Sequence, residues 1–165
     1  MTKEQGFIAE SADVYGDVRL AEDVSIWYQT VLRGDNQTIE IGKGSNIQDG
    51  TIIHVDPQAA VTIGSYVTIG HQCIIHGCEI KSGALIGMGS ILLNHSVIGE
   101  NSLIGAGSLV TEGTVIPPNV LALGRPATVI RPLTKEEIAK NKRNADHYIE
   151  LGKKHQNGEF QAVRN

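Results

Sequence analysis

The sequence has little of what defines several large classes of protein. It contains only two cysteines, Cys73 and Cys78, so no disulfide framework is implied and a reducing, cytoplasmic location is predicted. No window approaches the roughly 18 consecutive apolar residues that a membrane helix needs. The opening residues, MTKEQGF, do not resemble a signal peptide. We therefore expect a cytoplasmic protein with no membrane partner.

Positive charge and aromatic rings are also scarce. The 14 basic and 18 acidic side chains give a formal net charge of -4, without a basic run or stripe. This balance argues against nucleic acid as a partner. Aromatic residues make up 4% of the chain, whereas glycine is frequent, with 19 residues. Such a core has to be built from stacked aliphatic side chains, and this favours a repeat architecture.

What the sequence does contain is a six-residue repeat, in which small or polar residues, often glycine, follow each aliphatic residue. The aliphatic positions are Ile8, Val14, Leu20, Ile26 and Leu32; Ile41, Ile47 and Ile53; Ile63, Ile69 and Ile75; and Ile80, Ile86, Leu92, Ile98, Ile104, Val110 and Ile116. A helical period of about 3.6 residues does not reproduce this spacing, nor does strand alternation. A β-sandwich, the alternative, would need strands about 8–12 residues apart. The repeat instead indicates an all-β solenoid, a hexapeptide parallel β-helix with three strands per triangular coil.

The segment 133–156 predicts a C-terminal α-helix. Thr134 and Glu137 have the spacing of a capping box at its start, and Gly152 is expected to weaken or end its last turns. The predicted apolar face consists of Ile138, Ala145, Tyr148, Ile149 and Leu151. A helix with one apolar face packs on the domain core, so we expect it to lie along the β-helix.

One domain accounts for the whole chain. The repeat ends at Pro117 and Pro118, and the predicted β-helix with its extended exit spans residues 1–132. The helix, residues 133–156, belongs to the same domain. Residues 157–165 are predicted to form a flexible tail.

Three of the six histidines, His54, His71 and His76, lie within one short stretch. Imidazole is the commonest metal ligand among side chains, and three of them with an open fourth position suit catalytic zinc. Counting repeats places Ile53 and Ile75 one coil apart. His54 and His76 directly follow these residues, so they should be neighbours on one edge of the prism.

His71 belongs to the preceding face of the predicted prism. Five extended residues, up to about 16 Å of chain, separate it from His76, which places it on a different edge. One chain can therefore hardly bring all three histidines to one ion. Cyclic symmetry would let His71 of one chain meet His54 and His76 of the next. The spacing thus predicts a homotrimer with three metal sites between subunits.

The motifs around these histidines resemble those of γ-class carbonic anhydrases. They are Arg33-Gly34-Asp35, Asn46-Ile47-Gln48-Asp49, and His54 with the run GHQCIIHGC. The resemblance extends roughly from Phe7 to Leu151. It implies a left-handed β-helical trimer, a handedness that the repeat alone does not determine. It also implies that the three histidines bind Zn2+, or Fe2+ or Co2+, between subunits.

The resemblance further implies reversible hydration of CO2 to bicarbonate by a metal-bound hydroxide. Gln48 matches the family glutamine near the metal-bound water. Tyr148 lies where some members place a polar side chain over the metal, and Asn144, one turn earlier, is the alternative. The charged set that the family places at the subunit boundary corresponds to Arg33, Asp35 and Asp49. We expect this set to be structural, with an indirect effect on the metal.

Two departures from the family pattern concern proton transfer. The best-characterised γ-enzymes carry a glutamate directly after the RGD and a second one in an acidic loop. Here Asn36 takes the first position, and the short insertion HVDPQAA has Asp56 as its only acid. Low hydration activity is therefore expected. The alternatives are a coenzyme A-dependent hexapeptide acyltransferase with a histidine as general base, or a metal-binding trimer with little or no hydration activity.

The remaining cysteines and histidines are expected to be structural. Cys73 and Cys78 should be buried and unreactive, because small residues fill the coil interior at such positions. The histidines expected to be solvated surface residues are His95, His147 and His155.

Overall fold

The hexapeptide repeat forms a triangular coil of short parallel strands, a β-solenoid of about six turns followed by a helix. The structure is a computed structural model and describes residues 6–163. The start of the predicted β-helix domain (residues 1–5) and the end of the predicted tail (residues 164–165) lie outside the described residues. Each strand is short because the chain has to turn a corner of the triangle after every repeat.

The first two faces of the prism are joined by two long strands, β1 (Asp13–Leu20) and β3 (Val31–Ile41), which run along both faces. The other strands of the first face are β5 (Ile52–His54), β8 (Ile74–His76), β11 (Ile91–Leu92) and β14 (Leu109–Val110). Those of the second face are β6 (Val61–Ile63), β9 (Glu79–Ile80), β12 (Val97–Ile98) and β15 (Val115–Ile116). Neighbouring strands pair in parallel on both faces.

The third face is a separate sheet. Its parallel strands are β2 (Ser25–Ile26), β4 (Asn46–Ile47), β7 (Thr68–Ile69), β10 (Leu85–Ile86), β13 (Leu103–Ile104) and β16 (Val120–Gly124). The last strand, β17 (Ala127–Pro132), folds back antiparallel onto β16. This hairpin ends the sheet and is the extended exit predicted after Pro117 and Pro118.

The core is the column of aliphatic repeat residues inside the prism. From Ile26 to Ile116, every predicted interior position is at most 2% exposed. Ile8 was also predicted to be interior, and this is wrong: it is 48% exposed. The reason is its place in the first coil, at the open end of the solenoid, where no preceding coil among residues 6–163 covers it.

The two cysteines are buried in this core, as predicted. Burial raises the pKa of the Cys73 thiol to about 11 and that of the Cys78 thiol to about 12. Both side chains therefore stay protonated near neutral pH, and the reactive thiolate form is suppressed.

The C-terminal helix, α1 (Lys135–Gln156), packs over the third face against β2, β4 and β7. The predicted capping box is present: Thr134 Oγ1 accepts from the Glu137 amide at 3.2 Å, and Glu137 Oε2 accepts from the Thr134 amide at 2.8 Å. Within residues 6–163, no helix is both long enough and apolar enough to cross a membrane. The helix thus fixes one side of the solenoid and carries its side chains to the neighbouring edge.

Gly152 does not end the helix, which continues to Gln156, the end predicted for it. Gly152 is buried, and a Cβ there would lie 3.2 Å from Phe7 Cβ and 3.3 Å from Ser25 Cβ. The absence of a side chain lets the helix approach the first coil closely. Because this approach buries the helix end, tertiary packing outweighs the low helix propensity of glycine.

His95 and His147 are exposed, as predicted, whereas His155 is only partly exposed, because its ring packs among aromatic rings. Its Nδ1 lies 2.9 Å from the Tyr28 hydroxyl. The rings around it belong to Phe7, Trp27, Tyr28 and Phe160. The close helix approach at Gly152 brings the end of α1 into this cluster, which is a tertiary effect.

Shortening one interior side chain should cost a large part of the stability. We expect Ile98→Ala to lower the free energy of unfolding by about 2–5 kcal/mol, because it removes buried methyl groups and leaves a cavity. Ile98 is 0% exposed. Val97→Ala, the neighbouring outward position, should cost less than about 1 kcal/mol. Urea denaturation at fixed protein concentration measures both; equal losses would contradict the interior column.

The Glu137 carboxylate at the start of the helix leads to a second prediction, which concerns how the stability of the fold depends on pH. The Arg131 guanidinium and the Thr134 amide lower the pKa of Glu137 from 4.5 to about 2. The ionised form therefore stabilises the fold above about pH 4.5, and this contribution is lost as the pH falls from 4.5 towards 2. Glu137→Gln should lower the melting temperature at pH 7. The difference in melting temperature between this variant and wild type should narrow below pH 4.5. A difference that does not change with pH would contradict this role of Glu137.

Candidate metal centre

One edge of the prism, where the first face turns into the second, carries two of the predicted ligands. We call it the His54 edge. His54 ends β5 and His76 ends β8, and the strand register pairs Arg33 with His54 and His54 with His76. Along each strand Ile53 or Ile75 points inward and the following histidine outward. The coil count made from the sequence is therefore confirmed at these positions.

The two imidazole rings face each other across this edge. His54 Nδ1 lies 3.0 Å from His76 Nε2, and the ring centroids are 5.0 Å apart. A tetrahedral zinc ion with Zn–N distances of about 2.0–2.1 Å holds two ligand nitrogens about 3.3 Å apart. The separation here is close to that value, so the pair fits two positions of one coordination sphere.

Asp35 orients the first of these rings. His54 Nε2 lies 3.0 Å from Asp35 Oδ1, and the other carboxylate oxygen pairs with Arg33. Partial burial raises the pKa of Asp35, but the hydrogen bonds from His54 and Arg33 together outweigh it and leave this pKa below its usual value. An ionised carboxylate only accepts hydrogen bonds, so His54 Nε2 carries the hydrogen. His54 Nδ1 then presents a lone pair towards His76.

The third histidine lies on another edge, where the third face turns into the first. We call it the His71 edge. His71 follows β7, and its Nδ1 lies 2.9 Å from Oδ2 of Asp49, in the turn of the preceding coil. Its side chain is 43% exposed. Among residues 6–163 of one chain, no three His, Cys, Asp or Glu side chains are close enough to hold a metal together. The described chain thus divides the three histidines between two edges.

A buried amide network surrounds Gln48 on the His71 edge. Gln48 is 5% exposed, and its Nε2 donates to Asn46 Oδ1 at 3.0 Å. The Asn46 amide donates in turn to Thr68 Oγ1 at 3.0 Å, and the same oxygen accepts from Asn144 Nδ2 at 3.1 Å. Asn46 and Thr68 are paired positions of β4 and β7. The sheet and the helix together fix the orientation of the Gln48 side chain.

Tyr148 reaches the same edge from the helix. Its ring packs edge-on against Trp27, with centroids 5.4 Å apart. Burial, with a smaller effect from the Asp49 carboxylate, raises the pKa of Tyr148 above its ordinary value. The phenol therefore stays protonated near neutral pH. The helix thus brings both predicted positions, Tyr148 and Asn144, to the side of the prism that carries His71 and Gln48.

Several known proteins are similar to this chain in sequence or in fold. A model described as "Bacterial transferase hexapeptide (six repeats)" matches residues 77–112. A "Probable carbonic anhydrase" of Methanocaldococcus jannaschii is 53% identical, with 87% of this chain and 91% of that protein covered. "Gamma carbonic anhydrase 1, mitochondrial" of Arabidopsis thaliana is 40% identical, covering 92% of this chain and 58% of that protein. The chain belongs to the γ-class carbonic anhydrase family of hexapeptide-repeat proteins.

A solved structure of a protein described as a transferase has the same fold. The hexapeptide transferase family protein from Anaplasma phagocytophilum superposes with a TM-score of 0.81 and 42% identity, over 89% of this chain and 90% of that one. The γ-class family and hexapeptide transferases thus share one scaffold. The side chains on its edges, rather than its fold, have to distinguish their chemistry.

The sequence did not identify every residue around the γ-class histidines. Asn94 Oδ1 lies 2.6 Å from His76 Nδ1. Asn46 accepts from the Gln48 amide and donates in turn to Thr68. A signal for Asn94 was present: Ile75 pairs with Leu92, so the position two residues further along lies above the turn that follows His76. Asn46 and Thr68 are found through the register of β4 and β7.

Proposed function

We propose that this protein is a homotrimeric γ-class carbonic anhydrase, a lyase that reversibly hydrates CO2 to bicarbonate at three metal sites between subunits. His54 and His76 of one subunit and His71 of the next would hold one Zn2+, Fe2+ or Co2+ ion. The observation that carries the proposal is the pair of ring nitrogens on His54 and His76, 3.0 Å apart. A metal ion bound by these two imidazoles would have further coordination positions, and a histidine of another subunit can fill one of them.

The third ligand is available on the other edge. His71 donates from Nδ1 to the acceptor Asp49 Oδ2 at 2.9 Å, so its Nε2 is the nitrogen left to bind a metal. Metal-binding histidines commonly hold a carboxylate with their other nitrogen, which fixes the tautomer and the ring orientation. Because His71 is partly exposed, its edge can face the His54 edge of a neighbouring chain.

The surface of the first face supports threefold assembly. Its outward side chains form a continuous apolar column, since the register places them one above the other: Val31, Ile52, Ile74, Ile91 and Leu109. Ile52 is 46% exposed and Ile74 41% exposed. The matching outward positions of the second face include Glu40 and Glu79. A long apolar column marks an interaction surface, and the first face lies between the two histidine edges.

The chain's own residues would orient the reactants. When bound, a divalent ion supplies acidity, because it lowers the pKa of water to about 7. Gln48 donates its Nε2 hydrogen to Asn46, which leaves Gln48 Oε1 free to accept a hydrogen bond. This oxygen would hold the O–H of the attacking water, so that its lone pair points at the CO2 carbon. Protonated Tyr148 and Asn144 would offer hydrogen-bond donors to the bicarbonate oxygens.

The net reaction converts CO2 and water to bicarbonate and one proton, which has to leave the site. Asn36 cannot carry it, because an amide does not titrate. Asp56 Oδ1 accepts from the Gln58 amide at 3.2 Å inside its own tight turn. The proton would therefore pass directly to buffer, which predicts slow turnover.

Two comparisons favour the alternative hypothesis of an acyltransferase. The Anaplasma structure and the matching repeat model are both described as transferases. This hypothesis predicts acetyl-CoA turnover without a metal. That chemistry needs only one histidine as general base, so it does not account for two imidazoles that face each other on one edge. The same purified protein should be assayed for both reactions.

Subunit mixing tests the metal site directly. His71→Ala and His54→Ala should each abolish metal binding alone, because each removes one ligand from every site. After the two variants are unfolded together in equal amounts and refolded, the whole trimer population should regain about a quarter of the wild-type metal content. The reason is that three quarters of random trimers are mixed, and each has one intact interface. Elemental analysis of the refolded trimer measures this content.

The matched control is a mixture of His54→Ala with His76→Ala. Both ligands come from one subunit in the proposal, so no interface in this mixture regains all three histidines. Recovery of metal in the control, or no recovery with the His71→Ala mixture, would overturn the shared site.

Activity should depend on the metal, Gln48 and buffer. Stopped-flow CO2 hydration should vanish on chelation, and Gln48→Leu should lower it about 10–100-fold with metal content unchanged. Acetyl-CoA turnover that survives chelation would favour the acyltransferase instead. A trimer that contains metal but does not hydrate CO2 would favour the third alternative, a metal-binding trimer with little or no hydration activity.

The rate should also rise several-fold with imidazole buffer concentration at fixed pH, because Asn36 and Asp56 do not replace the two glutamates that the best-characterised γ-enzymes use to move protons. Asn36→Glu should weaken this dependence by supplying a titrating group, and Asn36→Gln is its uncharged control. A wild-type rate independent of buffer concentration would contradict direct proton export.

A further inference from the structure

Asn94 lies in the coil that follows His76 and contacts this proposed metal ligand. Its Oδ1 lies 2.6 Å from His76 Nδ1. We propose that Asn94 is the positioning residue that fixes the tautomer and direction of His76, so that Nε2 of this ring binds the metal. This inference rests on the proposed metal site and adds a residue to it.

The hydrogen-bond chemistry of the amide carries the first step. An amide oxygen only accepts hydrogen bonds, so His76 Nδ1 has to carry the hydrogen that it donates to Asn94 Oδ1. His76 Nε2 is then left with a lone pair, which points at His54 Nδ1, 3.0 Å away. Since Asp35 likewise leaves His54 Nδ1 with a lone pair, two lone pairs face each other at hydrogen-bond distance. A cation between them removes the repulsion.

The backbone holds Asn94 in this place. The amide of the following residue, His95, donates to Gly77 O at 2.7 Å, and Asn94 O accepts from the Gly113 amide at 3.0 Å. The turn is thus tied to the coil before it and the coil after it. A residue whose backbone is anchored on both sides can hold a ring orientation that thermal motion would otherwise average.

Gly77 provides the space for the contact. It directly follows His76 and has a φ of +55°, and a Cβ there would lie 2.4 Å from Asn94 Oδ1. Any larger residue would push the amide away from the ring. The glycine therefore serves two purposes: it allows the backbone turn after His76, and it lets the Asn94 oxygen reach Nδ1.

Another asparagine on the solenoid gives a matched control. Asn101 has the same relation to Gly83, where a Cβ would lie 2.3 Å from Asn101 Oδ1. Its amide, however, donates to Asn119 Oδ1 at 3.1 Å, and within residues 6–163 it makes no hydrogen bond to a histidine. Asn101 also has a φ of +58°, so leucine there is strained. Asn101→Leu should therefore cost at least as much stability as Asn94→Leu without affecting the metal.

The test measures cobalt(II) affinity and the d–d absorption spectrum of the reconstituted trimer by chelator competition. We expect Asn94→Leu to weaken cobalt binding about 10–100-fold and to change the spectrum. Asn94→Asp keeps an acceptor oxygen and should bind cobalt at least as tightly as wild type. Asn101→Leu should bind like wild type, and thermal melting reports how much each variant loses in folding stability.

A second measurement uses the unmodified chain, so it does not depend on how a variant folds. Long-range nitrogen–proton spectra of the zinc-loaded protein should show His76 with hydrogen on Nδ1 and zinc on Nε2. Coordination through Nδ1 would overturn the role of Asn94. So would cobalt binding by Asn94→Leu within threefold of wild type, or binding by Asn94→Asp as weak as that of Asn94→Leu.

The two proposals fail in different ways. A wild-type trimer that takes up neither zinc nor cobalt overturns the metal site and the role of Asn94 with it. A wild-type trimer that binds metal while the Asn94 variants bind it unchanged overturns only the role of Asn94.

Discussion

The parallel register of the coils is the constraint on which the site depends. Ile53 pairs with Ile75 inside the prism, and this pairing brings His54 against His76 outside it. A shift of one residue would send both rings into the core and two isoleucines to the surface, which the buried column prevents. The hydrophobic stacking of the interior thus fixes the separation of two imidazoles that do not belong to the core.

The irregular steps of the repeat fall at the edge that carries these histidines. The insertion between Ile53 and Ile63 begins beside His54, and the short step from Ile75 to Ile80 follows His76. The faces have to keep their register because each strand pairs above and below. An edge turn has fewer partners, so it accepts insertions and polar side chains. Asn94 uses this freedom, because its turn reaches back to His76 across Gly77.

The scaffold is shared with hexapeptide transferases, so the fold by itself does not select a reaction. What distinguishes this chain is the distribution of side chains over the two edges. The His54 edge has two facing imidazoles, and the His71 edge has one imidazole with the Gln48 amide network. Neither edge forms a metal site alone among the described residues of one chain, which makes the proposed activity inseparable from assembly.

The sequence by itself determined the solenoid, the interior column, the helix start at Thr134 and the neighbouring positions of His54 and His76. All of these follow from local periodicity or from counting repeats. Only the tertiary structure decided the close approach of the helix to the first coil at Gly152, the packing of His155 among aromatic rings, and the contact of Asn94 with His76. These features depend on how closely distant segments approach each other, and a one-dimensional pattern does not contain that distance.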